Sequence, residues 1–64
     1  MQKPTIGRIV HLNKNGELNA AVIVAVHNDE CVSLVAWNSG GTQYNERSVL
    51  FGEGPDRWNW PARA

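Results

Sequence analysis

An all-β fold is the expectation from three features of the sequence. Apolar and β-branched residues gather in short runs, and no stretch spaces them at helical intervals between capping residues. Clusters of glycine and asparagine, which favour turns, separate those runs. The chain is 64 residues long, which allows one small domain over residues 1–64 with a thin core.

Residues 4–12 (PTIGRIVHL) form the first extended run, and residues 13–16 (NKNG) follow with an Asn-Gly pair suited to the positive φ angles of a tight hairpin. The run ELNAAVIVAV, residues 17–26, is apolar on both faces, with Leu18, Ala20, Val22, Val24 and Val26 on one and Ala21, Ile23 and Ala25 on the other. This predicts a central strand covered on both sides, with small alanines where a barrel turns a corner. A polar turn at residues 27–30 (HNDE) leads to residues 31–37, where Val32, Leu34 and Ala36 alternate with Cys31, Ser33, Val35 and Trp37. A second glycine turn, residues 38–42 (NSGGT), precedes QYNERSVLF at residues 43–51, read as a fourth strand with a ragged, exposed beginning. The loop at residues 52–56 (GEGPD) then returns the chain to RWNW at residues 57–60. If extended, that segment places Trp58 and Trp60 on one face before Pro61 ends the ladder. Four to five short antiparallel strands in so few residues predict a strongly curved barrel of the SH3-like kind.

Composition narrows the functional classes. Cys31 is the only cysteine, which rules out an internal disulfide and suits a reducing compartment. Together with His11 and His27 it lacks the paired spacing of a zinc site, so neither a metal nor another cofactor is expected. A core this small without such supports points to self-association into a homo-oligomer. Six basic residues balance six acidic ones, leaving no electrostatic footprint for long nucleic acid. No apolar run approaches the ~20 residues of a membrane span, and the start MQKPT lacks the apolar core of a signal peptide. A soluble cytosolic protein without membrane contact is expected.

The succession PTIGRIVHL, AAVIVAV, VSLVAW and FGEGPDRWNWP resembles a group of small SH3-like proteins encoded in bacteriophages and prophage regions. The resemblance runs from Ile6 to Pro61, and its most specific parts are GRIVH at residues 7–11 and WNWP at residues 58–61. This chain departs from the group's pattern at Trp37, where phenylalanine is usual, and at Asn59, where the tail commonly carries histidine. The resemblance implies a phage-encoded barrel at work in the host cytosol. Most of the group is of unassigned function, so it supplies a setting and not a mechanism.

Catalysis has little to work with, and the protein is expected not to be an enzyme. Ser33, Ser39 and Ser48 sit in no nucleophile motif. Cys31 and His27 lie four residues apart across a turn, yet Cys31 reads more simply as a small hydrophobe at a strand start. Glu53 and Asp56 flank Gly54-Pro55, where carboxylates commonly solvate and cap a loop.

Binding has better material, because flat rings stack on nucleobases at ~1–3 kcal/mol each and arginine forks grip phosphate or carboxylate. The candidate ligand-binding residues are Trp58, Trp60, Arg57, Arg47, Tyr44, Asn59, Trp37 and His11. Each has a plainer alternative. The two tail tryptophans suit the core, Arg47 an edge-strand charge, Arg57 a rim ion pair with Asp56 or Glu53, and His11 a half-buried strand position. Strand parity separates Arg8 from His11. Asn19, Asn45 and Asn59 fall within expected strands, where asparagine is unfavourable; reading a base edge is one reason for them and an exposed face another.

Two functions follow as expectations. One is a non-catalytic sponge that sequesters a small nucleotide-derived signal of host immunity, with its pocket where subunits meet. The other is an SH3-like interaction module that inhibits a host protein or assists phage assembly, with Trp37, Tyr44 and Trp58 as its groove.

Overall fold

The computed structural model describes residues 3–61. Five strands, β1 (Ile9–Lys14), β2 (Glu17–Val26), β3 (Cys31–Trp37), β4 (Gln43–Phe51) and β5 (Arg57–Asn59), close a barrel in chain order. The β1–β2 hairpin turns on Asn15 and Gly16 alone, whose φ values of 53° and 80° give the two-residue turn that matches strand twist. With so short a turn the first strand runs on to Lys14, later than the sequence suggested. Its expected beginning, residues 4–8, lies outside the ladder, although the Gly7 amide still donates to the Ile23 carbonyl at 2.8 Å.

β5 closes the barrel by pairing antiparallel with β1 (His11↔Asn59, Leu12↔Trp58, Asn13↔Arg57) and parallel with the end of β4 (Leu50↔Arg57, Phe51↔Trp58). The sheet is therefore mixed and not wholly antiparallel as expected. Positive φ angles at Gly52 (148°), Gly54 (106°) and Asp56 (58°) coil the intervening loop so tightly that β5 starts beside the strand it has just left. Curvature comes from two register shifts, one between Ile23 and Ala25 in β2 and one between Val32 and Leu34 in β3. At the second, β4 carries the extra residue, and Ser48 there adopts a φ of 54°.

Val10, Leu12, Ala21, Ile23, Val32, Leu34, Ala36, Val49 and Trp58 fill the interior. Trp58 is 1% exposed, donates Nε1–H to the Glu30 carbonyl at 3.0 Å and meets Phe51 edge to face at 4.9 Å. β2 is covered on one side only, contrary to expectation: Leu18 is 66% exposed and Val24 46%. The five strands are spent on closing the barrel, and no described element remains to form an outer layer.

Polar contacts tie the strands together as well. Asn19, 5% exposed, donates to the Tyr44 hydroxyl at 2.6 Å. Lys14 Nζ bonds Glu46 Oε1 at 2.8 Å and approaches Asp56 Oδ1 at 3.4 Å, linking β1, β4 and the loop before β5. Hydrogen bonds from Glu46 and then Asp56 raise the Lys14 pKa above the ordinary lysine value. A raised folded-state pKa means the stabilisation is fully present below the unfolded value and fades as pH rises through the folded one. Lys14→Met is therefore expected to lower the melting temperature modestly at neutral pH. The gap to wild type should close above lysine's usual ~10.4; melts recorded across that range check it.

Candidate functional site

A half-open cleft of about 410 Å³ lies where β1, the start of β2, the loop after β4 and the tail after β5 converge. Partners across a ladder share a face, so the register determines which side chains wall it. His11 stands opposite Asn59, and Asn13 opposite Leu18 and Arg57. His11, Asn13, Leu18 and Asn59 line the cleft together with Trp60 and the loop residues Gly52, Glu53 and Gly54. That loop is pinned at both ends: the Gly52 amide donates to the Trp58 carbonyl at 3.0 Å and the Asp56 amide to the Asn13 carbonyl at 2.8 Å.

Two wall residues carry buried polar atoms without a hydrogen-bond partner among the described residues: Asn13 Oδ1, an acceptor, and Trp60 Nε1, a donor. Each such atom costs ~1–3 kcal/mol while unsatisfied. Asn59 is engaged differently, its Oδ1 accepting from the Trp60 amide at 2.8 Å. The Trp60 ring packs edge to face on Trp58 at 5.3 Å and lies 5.2 Å from the Arg8 guanidinium, a cation–π distance. Among the described residues no lysine or arginine lines the cleft. Arg57 is nevertheless beside it, because its Cδ would lie 3.7 Å from a Cβ placed on Gly52.

The expected site residues thus separate into groups. His11, Asn59 and Trp60 meet in the cleft, and Arg57 is exposed beside its loop wall. Trp58 belongs to the interior. Arg47 is exposed elsewhere, at a smaller concavity of about 250 Å³ that it shares with Asn45 and Ser33. Trp37 and Tyr44 are on adjacent strands but opposite sides of the sheet. Tyr44 pairs with Ala36 and packs against the core, whereas Trp37 pairs with Gln43 and Ala20 on the outer face. Trp37, Tyr44 and Trp58 therefore form no common groove. Arg8, which precedes the ladder, reaches the tryptophan that walls the cleft with His11 despite the opposite strand parity of the two.

The other candidates resolve locally. His27 Nε2 lies 2.9 Å from the Ser33 hydroxyl, not against Cys31, and Asp56 faces Lys14 instead of Arg57. Asn28 and Asn38 cap their turns, each accepting two backbone amides. Among the described residues no group of three or more His, Cys, Asp or Glu side chains could hold a metal ion.

Sequence reasoning missed Asn13 and Leu18. The sequence pattern puts Asn13 in the turn, yet the Asn-Gly pair alone suffices for a two-residue hairpin, and counting back from it puts Asn13 in the strand. No family model, curated protein or solved structure matches the chain.

Proposed function

We propose that the protein binds a small nucleotide-derived molecule in the cleft of His11, Asn13, Asn59 and Trp60 and sequesters it unchanged. The pair of partnerless atoms, Asn13 Oδ1 and Trp60 Nε1, carries this reading. Both atoms are enclosed, so a ligand reaches them when the two side chains turn toward the cleft. An edge that offers a donor to the first and an acceptor to the second then recovers what the fold leaves unsatisfied, and a nucleobase edge has both. The cleft's size falls within the ~300–1,000 Å³ of ordinary ligand sites. Its lining, without lysine or arginine among the described residues, suits an uncharged base, while Arg57 beside Gly52 suits a phosphate held at the rim. Among the described residues His11 and Glu53 are the titratable side chains of the wall, and no serine, cysteine or lysine nucleophile stands beside them, which favours capture over chemistry. The resemblance to phage-encoded barrels supplies the setting: a sponge for a nucleotide signal of host immunity, acting in the host cytosol.

Asn13→Ala tests the site. Removing an unsatisfied acceptor should leave the melting temperature unchanged or slightly higher. Affinity for a cyclic dinucleotide or an ADP-ribose derivative, read by tryptophan emission, should fall roughly 5- to 150-fold, the equivalent of ~1–3 kcal/mol. A variant that binds as wild type does would remove the cleft from consideration.

A further inference from the structure

We infer that the outward face of β1, β2 and β3 is where a second copy of this chain docks, and that the docked copy walls the open side of the cleft. The second part rests on the ligand site proposed above; the first does not.

The register lays out this face in rows. Ile9, Val22 and Val35 stand side by side, and so do His11, Ala20 and Trp37; Asn13 and Leu18 form a third pair. None of these positions carries a charge, although the chain has six basic and six acidic residues. Ile9 is 63% exposed and Leu18 66%, values typical of solvated residues and not of a barrel's aliphatic wall. An uncharged centre with an aromatic residue is the composition of a buried interface core.

Charge and area identify the occupant. A partner with charged groups at its centre would bury them here without counter-charges, at high cost. A second copy presents the same uncharged surface, and a two-fold axis makes one patch complementary to itself. The formal net charge of +0 also leaves no long-range repulsion between copies. A standard interface takes ~800 Å² per subunit, roughly a fifth of this molecule's 4362 Å², and the outward side of three strands out of five can supply that.

The face and the cleft are continuous. His11, Asn13 and Leu18 belong to both, and Leu18 is at once a cleft wall and one of the most exposed apolar residues. A copy seated over β2 covers Leu18 and turns a half-open cleft into a closed one, where the hydrogen bonds to a base compete less with water.

Sedimentation velocity over a dilution series, without ligand, tests the docking. Wild type is expected at dimer mass in the micromolar range. Ile9→Glu and Val22→Glu, each placing a charge in the first row of that face, are expected at monomer mass with the wild-type circular dichroism spectrum. A monomeric wild type at every concentration, or variants as dimeric as wild type, would overturn the interface. The cleft-closing part is read separately, by titrating the folded monomeric variants with the dinucleotide that wild type binds. Loss of at least about tenfold in affinity supports it, and undiminished affinity overturns it. A dimeric wild type that binds none of the nucleotides keeps the interface and contradicts the ligand proposal alone.

Discussion

Trp58→Ala unfolds the domain. The ring is 1% exposed at the centre of the barrel, touches Phe51 and Trp60, and donates to the Glu30 carbonyl from the β2–β3 turn. Large-to-small changes of a buried tryptophan cost ~3–5 kcal/mol. A single core in a chain this short rarely supplies more than about 3–5 kcal/mol in total. Near-UV circular dichroism should vanish and the emission of Trp37 and Trp60 should move to the red. Trp58→Phe keeps most of the apolar contact and loses the bond to Glu30, so a smaller cost of ~1–3 kcal/mol is expected. A Trp58→Ala protein with a native melt would show that β5 does not close the barrel.

Trp60→Ala should do the opposite, sparing the fold and weakening ligand binding. Trp60 lies just past the end of β5, is half-buried, and shares with Trp58 an edge-to-face contact of the kind worth ~0.5–1.5 kcal/mol beyond area burial. Loss of the Nε1–H donor and of the ring's contact with the ligand costs ~1–3 kcal/mol, so nucleotide affinity should fall about 5- to 150-fold. Trp60→Phe separates ring from donor: stability holds because the removed Nε1–H was unsatisfied, and affinity drops by the donor's share alone. Thermal melts and tryptophan-emission titrations of both variants check this, with Trp37 and Trp58 as the remaining reporters.

The contrast between these two tryptophans shows what the sequence could and could not tell. Period-two spacing correctly places Trp58 inward and Trp60 beside it against the same core, but the ladder stops at Asn59 and Trp60, past the strand end, stays half-buried at the cleft wall. β3 was fully legible, because its Val32, Leu34 and Ala36 alternation coincides with one buried face. β2 was not. A strand apolar on both sides does not say which side is covered, and here Asn19 is inside while Leu18 is outside. Tyr44, 25 residues along the chain, brings a hydroxyl to the Asn19 Nδ2, a pairing that no local pattern announces, while Asn19 Oδ1 has no partner among the described residues. The mixed sheet was hidden for a similar reason. Glycines at 52 and 54 signalled a turn, but that the turn coils enough to set β5 beside β4 depends on positive φ at Asp56 as well. The cleft gathers β1, the start of β2, the loop and the tail, segments joined only by barrel closure, so its make-up follows from the register and not from any motif.

The most direct test of the central claim is calorimetric titration of the wild-type protein with a panel of cyclic dinucleotides and ADP-ribose derivatives, followed by heat release and chromatography of the bound ligand. Saturable binding of at least one of them, weakened in both Trp60→Ala and Asn13→Ala, with the ligand recovered intact, is the predicted result. Absence of heat across the panel, or recovery of a cleaved ligand, would contradict a sponge built on this cleft.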